Sequence, residues 1–224
     1  MILPSTYYEE NLYPLQDGVL NITSNCKTHF YLTGGTALSR AYYHHRYSDD
    51  LDFFVNNDRD YTEQVDIILA ALTNKGFTID AASKIKNISF TSLKVGWGKS
   101  DALLKLDFVN DSTPHFGDIQ ETALFDRTDP VRNIISNKLS ALFRYAAKDV
   151  ADIREIALHE SINWPEILRE AREKEGGVDT PIIGEILRGI PQIEFDGVVW
   201  TQKPEWTVFC ADIEKIVLDM MSGN

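Results

Sequence analysis

The apolar positions of this chain follow two spacings, and each spacing predicts a different kind of element. In the first half, short runs alternate apolar and polar side chains or are continuously apolar, which is typical of strands. These runs cover residues 28–32, 50–55, 77–79, 88–95, 102–109 and 121–125. Residues 61–74 instead carry apolar side chains every three or four positions, which predicts an amphipathic helix that ends at Lys75-Gly76.

Helical spacing also covers the N-terminal region and almost all of the second half. Residues 4–26 predict a helical region interrupted at Pro14, and residues 36–44 predict a helix that follows a Gly-Gly turn. Asp129-Pro130 is typical of a helix start, with Asp129 as N-cap. Further helices are predicted from residue 131 onward, over 164–175, 181–188 and 206–221. The pattern therefore predicts an α+β fold, with an α/β core over residues 1–128 and a helical C-terminal domain over residues 129–224.

Composition narrows the class of protein. The 224 residues include 34 acidic and 22 basic side chains, a formal charge of −12, which disfavours a broad nucleic-acid-binding surface. No run approaches the roughly 18 apolar residues of a membrane span, and the N-terminus does not look like a signal peptide. Cys26 and Cys210 form no metal or redox motif. We therefore expect a cytoplasmic protein with no membrane partner.

Three aspartates lie within apolar strand runs, where a carboxylate is costly unless it is paired or binds a metal. Asp50 and Asp52 are two residues apart, so a strand places both on one face, and Asp107 lies in a later run. If the two strands are neighbours, the three carboxylates form one cluster. Mutual repulsion in such a cluster is relieved by divalent cations, for which carboxylate oxygens are suitable ligands. These aspartates are our candidate metal ligands for phosphoryl transfer.

A glycine pair supplies a candidate phosphate site. Residues 28–32 predict a strand that enters Gly34-Gly35 and leaves into a helix at Thr36. The first N–H groups of a helix lack intrahelical acceptors, so this turn suits a phosphate group. Together with the three aspartates, the turn indicates nucleotide chemistry far more strongly than Asp-x-Asp does alone.

These motifs resemble the signature of the AbiEii/AbiGii-type nucleotidyltransferases, the toxins of bacterial toxin–antitoxin and phage-defence systems. The resemblance rests on Gly34-Gly35-Thr36-Ala37-Leu38 and on Arg46-x-Ser48-x-Asp50-Leu51-Asp52-Phe53. Two later runs resemble the helical motif of that family. They are Asn137-Lys138-Leu139-x-Ala141-Leu142-x-x-Arg144 and Lys148-Asp149-x-x-Asp152-Ile153. The family belongs to the DNA polymerase β-like superfamily.

The resemblance implies a nucleotidyltransferase fold, with a mixed sheet flanked by helices and a helical C-terminal part. It also implies an NTP substrate, Mg²⁺ or Mn²⁺ as cofactor, and a cognate antitoxin as partner. Some family members transfer nucleotides to the acceptor end of tRNA. By this resemblance, Asp50, Asp52 and Asp107 bind metal and take part in catalysis.

The same resemblance assigns roles to the phosphate-binding and helical-motif residues. Gly34, Gly35 and Thr36 would cradle the triphosphate, Lys138 would contact the nucleotide phosphates, and Asp149 would be a catalytic or structural acid. Arg46 and Ser48, just before the acids, are further nucleotide-binding candidates, although Arg46 is equally well explained by a salt bridge to Asp49.

Spacing alone gives the helical motif only modest support. Lys138 and Asp149 are eleven residues apart, close to three turns, so they share a face if the helix is unbroken. A lysine and an aspartate on one helix face are most often a surface pair.

Two other functions fit the same residues. One is transfer of a nucleotide to a protein or a small molecule, including antibiotic modification, by the same site. The other is a catalytically silent nucleotide-binding module, which the presence of all three strand carboxylates disfavours. The sequence after about residue 160 carries no recognisable motif, so it does not identify the acceptor.

Overall fold

The runs of the first half form a five-stranded mixed sheet within residues 5–98 and 101–223, the part of the chain that the computed structural model describes. The strands are β1 (Tyr31–Thr33), β2 (Leu51–Asn56), β3 (Phe77–Lys86), β4 (Phe90–Trp97) and β5 (Leu104–Asp111). Their order across the sheet is β1-β2-β5-β4-β3. The β2–β5 pair is parallel, and the other neighbouring pairs are antiparallel. The predicted mixed sheet is therefore confirmed.

Alternation along β2 and β5 divides the sheet into a buried face and a polar face. Leu51, Phe53 and Val55 of β2 are buried, and so are Leu106 and Phe108 of β5. The rings of Phe53 and Phe108 stack with their centroids 5.4 Å apart. Because side chains alternate along a strand, this apolar core turns the intervening aspartates to the opposite face.

Helices of the first half bury apolar faces of their own. A helical run starts at Ser5–Tyr7, widens to a π-helix over Tyr8–Leu12 and continues as α1 (Tyr13–Asn25). Pro14 lies at the start of α1, where its missing N–H is tolerated. Helix α2 (Tyr61–Asn74) confirms the predicted amphipathic helix and packs against α1.

The second half is helical, as predicted. Its helices are α3 (Val131–Ser140), α4 (Ala147–His159), α5 (Trp164–Lys174), α6 (Thr180–Arg188), α7 (Gln192–Asp196) and α8 (Trp206–Ser222). Helix α3 packs against α4 and α5, and α8 packs against α6 and α4. Among the described residues, none of these helices has the length and apolar character needed to cross a bilayer.

The described chain divides into two compact units that are discontinuous in sequence. The first unit comprises the described residues of Met1–Tyr42, together with Tyr47–Ser112 and Asp118–Asp129. The second comprises Tyr43–Arg46, Thr113–Gly117 and the described residues of Pro130–Asn224. Tyr43–Arg46, which lies between the glycine pair and the first aspartates in sequence, thus packs with the helical unit.

Two local predictions were wrong. Residues 121–125 are not a strand, because the backbone pairing in this region joins Gln120 to Thr128 and leaves the residues between them in a loop. Asp129 does not cap α3, whose N-cap position is Pro130. Its buried carboxylate instead accepts a hydrogen bond from the Thr33 hydroxyl of β1. Tertiary hydrogen bonding has here replaced the local cap.

Candidate active site

A row of polar side chains crosses four strands on the polar face of the sheet. Thr33 of β1 is the register partner of Asp52 on β2, which in turn is the partner of Asp107 on β5. Ser92 of β4 is the next partner in the row, and its Oγ donates to Asp107 Oδ1 over 2.6 Å. The expected adjacency of the Asp52 and Asp107 strands is confirmed. It follows from the parallel β2–β5 pairing.

Lys105 lies among the carboxylates. Its Nζ is 2.6 Å from Asp107 Oδ2 and 3.9 Å from Asp50 Oδ2. Partial burial disfavours the charged ammonium, but the hydrogen bond and charge of Asp107, with the charges of Asp50 and Asp52, outweigh it and raise the pKa of Lys105. Asp107 is mostly buried, with 14% of its side chain exposed, whereas about a third of the Asp50 side chain is exposed. The Lys105 ammonium is thus a positive charge shared by Asp50 and Asp107.

The glycine turn lies directly against Asp52. Gly34 follows β1 with φ at +71°, and a Cβ placed on it would collide with Asp52 Oδ2. Gly34–Thr36 forms one α-helical turn and continues as a π-helix over Ala37–Tyr43. The Thr36 hydroxyl donates to the backbone carbonyl of Asp50, which ties the turn to the start of β2. Only glycine fits both the backbone angle and the space at position 34.

The donor set fits a divalent cation in its chemistry. Asp50, Asp52 and Asp107 offer hard carboxylate oxygens of the kind that Mg²⁺ and Mn²⁺ prefer, and the lack of a side chain at Gly34 lets the backbone of the glycine turn lie directly against Asp52. Within residues 5–98 and 101–223, however, no three His, Cys, Asp or Glu side chains are arranged to hold a metal ion. The Lys105 ammonium provides the positive charge next to two of these carboxylates.

The helical-motif residues form a buried ionic network in the second unit. Lys138 Nζ lies 2.8 Å from Asp149 Oδ1 and 2.6 Å from Asp152 Oδ2. Arg46 binds Asp152 through two nitrogens, with Nε to Oδ1 at 2.6 Å and Nη2 to Oδ2 at 2.7 Å. His45 Nε2 is 2.8 Å from Asp152 Oδ1.

Burial and charge act in opposite directions on this network. Burial penalises every charged form, but Arg46 and Lys138 hold the pKa of Asp152 well below its ordinary 3.8. Burial likewise opposes ionisation of Asp149, and the charge of Lys138 together with a hydrogen bond from Arg144 lowers its pKa. The two aspartates in turn raise the pKa of Lys138. Lys138, Asp149 and Asp152 are therefore charged at neutral pH.

The contact between Lys138 and Asp149 arises from a break in the helix, not from a shared helix face. Eleven residues of continuous helix would separate the two Cα atoms by about 16 Å along the axis. Helix α3 instead ends at Ser140, a 3₁₀ turn covers Leu142–Arg144, and Tyr145 adopts a left-handed conformation with φ at +55° before α4 begins. The condition of an unbroken helix, under which the two residues would share a face, is therefore not met, although the two side chains do meet.

The structure separates the candidate residues by unit. Asp50, Asp52, Asp107, the Gly34–Thr36 turn and Ser48 belong to the first unit, and Arg46, Lys138 and Asp149 belong to the second. Ser48 is buried, and its carbonyl accepts a hydrogen bond from Gln16 Nε2 at 3.0 Å. Arg46 is buried against Asp152, whereas sequence reasoning offered Asp49 as its partner.

Sequence reasoning missed Lys105 and Ser92, which contact the third carboxylate. The signal for Lys105 was present in the sequence, because it lies two residues before Asp107 and a strand places both on one face. Ser92 gave no comparable signal, since its place beside Asp107 depends on the register of β4 against β5. His45 is a further residue that the sequence analysis does not single out, and it makes a buried hydrogen bond to Asp152.

Comparisons with known proteins agree on the class. The structure resembles JHP933 of Helicobacter pylori, with a TM-score of 0.69 at 18% identity, covering 98% of this chain and 94% of that one. It also resembles MenT4, a nucleotidyltransferase toxin of Mycobacterium tuberculosis, with a TM-score of 0.60 at 14% identity, covering 94% and 82% of the two chains. The fold is therefore that of a nucleotidyltransferase. No curated protein sequence matches the chain significantly.

A family model identifies the chain more closely. The model described as nucleotidyl transferase AbiEii toxin, of a type IV toxin–antitoxin system, matches residues 19–219. The chain thus belongs to the AbiEii toxin family and is a nucleotidyltransferase. Membership of a toxin–antitoxin family implies an NTP substrate and a cognate antitoxin.

Proposed function

We propose that this protein is a metal-dependent toxin that transfers a nucleotidyl group from an NTP to an acceptor hydroxyl, with tRNA as the leading acceptor. The observation that carries the proposal is the pairing of Asp52 with Asp107 on adjacent parallel strands, beside a glycine turn that packs directly against Asp52. In nucleotidyl transfer the acceptor oxygen bonds to the α-phosphorus, the α–β phosphoanhydride bond breaks, and pyrophosphate leaves.

The residues of the first unit would bind the metal ion, accept the proton of the acceptor hydroxyl and bind the triphosphate. Asp50, Asp52 and Asp107 would hold Mg²⁺ or Mn²⁺, which would neutralise triphosphate charge and stabilise the charge that develops during transfer. Asp107 would in addition orient the acceptor hydroxyl and draw its proton, a role supported by the Ser92 hydrogen bond that fixes its carboxylate. The backbone N–H groups of Gly34–Thr36 would cradle the triphosphate.

The residues of the second unit would bind nucleotide phosphates. We assign this role to Lys138 and Arg46, and Ser48 is a separate nucleotide-binding candidate within the first unit. The buried bonds to Asp149 and Asp152 support it, because they fix the orientation of both cationic side chains in advance of binding. Asp149 would then position Lys138, to which it is bonded at 2.8 Å.

An assay with labelled nucleotides tests the proposal. Purified protein is incubated with Mg²⁺, each α-labelled NTP and total RNA, and wild type is compared with Asp52→Asn. Asp66→Asn is the matched control, because Asp66 is an exposed aspartate paired with Lys86 in the same unit. We expect wild type and Asp66→Asn to label RNA and Asp52→Asn to lose the activity. If neither transfer nor nucleotide-dependent thermal stabilisation occurs with wild type, the proposal is wrong.

The acidic charge of the chain supports a second acceptor class. A protein with a formal charge of −12 repels polyanions over much of its surface, so a protein or small-molecule hydroxyl would be approached with less repulsion than RNA. The same assay, run in a cell extract, separates the two. Label on a protein or metabolite and not on RNA would favour the second class.

The antitoxin is tested genetically. We expect induced expression of wild type to slow bacterial growth, and co-expression of a small neighbouring reading frame to restore it. Asp52→Asn should not slow growth in either case. Growth that is unaffected by wild type, at protein levels confirmed by immunoblot, would contradict the assignment as a toxin.

A further inference from the structure

Lys105 is the feature of the sheet face that the proposed chemistry leaves unexplained. Its ammonium donates over 2.6 Å to Asp107, whose side chain is only 14% exposed, and lies 3.9 Å from Asp50. On its other side it is the register partner of Lys94 on β4. Like charges directly opposite each other destabilise a sheet, so the position of Lys105 has a cost that its bond to Asp107 offsets.

We propose that Lys105 is a positioning residue that acts as an internal cation, holding the Asp50 and Asp107 carboxylates in place on the sheet until a divalent cation replaces it. This inference rests on the proposed metal-dependent function. Two observations support it. The ammonium contacts two of the three proposed ligands, and in the described chain those ligands do not form a ready metal cluster while the ammonium lies among them.

The chemistry of lysine suits such an exchange. An ammonium is a point charge on a flexible stem of four carbons, so it leaves a carboxylate by rotation without any change in the backbone. With 39% of its side chain exposed, Lys105 has solvent to move into. When a divalent cation binds, Asp107 exchanges one positive partner for another and remains fixed on its second oxygen by Ser92.

We expect the Lys105 ammonium to compete with a divalent cation for the Asp50 and Asp107 carboxylates. Removing the ammonium leaves the three carboxylates without their internal counter-charge, so a divalent cation should then bind more tightly. If Lys105 were only a surface partner of Asp107, its removal would leave metal affinity unchanged. If it acted only on nucleotide phosphates, the change would appear in the KM for NTP and not in metal affinity without nucleotide.

The test is titration with Mn²⁺ in the absence of nucleotide, with free Mn²⁺ measured by electron paramagnetic resonance. We expect Lys105→Met to bind Mn²⁺ about tenfold more tightly than wild type, equivalent to one removed neighbouring charge. Lys105→Arg keeps the cation and should stay near wild type. Lys94→Met, the matched loss of charge on the neighbouring strand, should change the affinity by no more than about twofold because exposed charges are screened.

The possible results are distinguishable. Equal or weaker Mn²⁺ binding by a folded Lys105→Met variant overturns this inference and leaves the metal-dependent function intact. Mn²⁺ binding by wild type that Asp107→Asn weakens verifies the site itself. If no variant binds Mn²⁺, the proposed metal dependence is wrong and the inference falls with it.

Discussion

Gly34 is constrained both by its backbone conformation and by its contact with a proposed metal ligand, Asp52. Its left-handed φ of +71° admits other residues only at a cost, and any Cβ would collide with the Asp52 carboxylate. These two constraints can be separated by mutation. Gly98 also has a left-handed φ, at +68°, but no described atom lies within 4 Å of a Cβ placed there.

We predict that Gly34→Ala and Gly98→Ala have different effects on activity. Each substitution should lower stability by about 1 kcal/mol through backbone strain. Gly34→Ala should also displace Asp52 and reduce nucleotidyl transfer on the order of a hundredfold, the usual penalty for misplacing a reacting group by about 1 Å. The measurement is the transfer rate together with urea unfolding. Equal activity of the two variants would show that the Gly34–Asp52 contact is unimportant.

At this scale the sequence predicted the acids but not their partners. Asp50, Asp52 and Asp107 stand out because a carboxylate in an apolar run requires an explanation. Lys105 and Ser92 do not, because a lysine or serine on a half-exposed strand is ordinary. The place of Ser92 beside Asp107 depends on the β4–β5 register, and the approach of Lys105 to Asp50 depends on the β2–β5 pairing, neither of which the short apolar runs specify.

The break between α3 and α4 determines the helical-motif network. Because the chain turns at Leu142–Arg144 and Tyr145, Lys138 reaches Asp149 and Asp152 and encloses them with Arg46 and His45. Helical spacing on both sides of the break hid it from sequence reasoning. The left-handed residue is a tyrosine rather than the glycine that usually marks such a position.

Asp152 should be the most sensitive residue of this network. Asp152→Ala would leave the buried Lys138 and Arg46 without a shared counter-charge, and such losses cost about 3–5 kcal/mol. Glu173→Ala, which removes an exposed ion pair with Arg169 on α5, is the control and should cost less than about 0.5 kcal/mol. Chemical denaturation measures both. A small effect of Asp152→Ala would mean that water enters and solvates the cations.

Tyr145 offers a test of the break itself. A left-handed tyrosine is strained, and asparagine adopts this conformation more readily, whereas β-branched residues adopt it poorly. We therefore expect the melting temperature to decrease in the order Tyr145→Asn, wild type, Tyr145→Val. The side chain is 62% exposed, so loss of packing should contribute little. The reverse order would indicate that the tyrosine ring, and not the backbone angle, stabilises the turn.

For the whole molecule, the pKa shifts predict a range of pH over which the network stabilises the fold. The folded-state pKa of Asp152 lies below 3.8, so its contribution is complete above that pH and is lost as the pH falls through the folded value. The pKa of Lys138 is raised above 10.5, so its contribution is complete below that pH and is lost as the pH rises further.

The resulting prediction concerns the difference in unfolding free energy between wild type and Asp152→Asn. We expect it to be constant from about pH 5 to pH 9 and to shrink below about pH 4, where the carboxylate of the unfolded chain takes up a proton while that of the folded chain stays ionised to lower pH. Urea unfolding at a series of pH values measures it. A difference that changes between about pH 5 and pH 9 would contradict this prediction.

The discontinuous units also set an order of events during synthesis. His45 and Arg46 leave the ribosome more than 100 residues before Asp152, their buried partner in the second unit. At about 5–20 residues per second, the synthesis of Asp152 follows that of those two residues by about 5–20 s. His45 and Arg46 therefore lack their buried partner until α4 has been made. A nucleotidyltransferase that depends on this pairing is incomplete during most of its own translation.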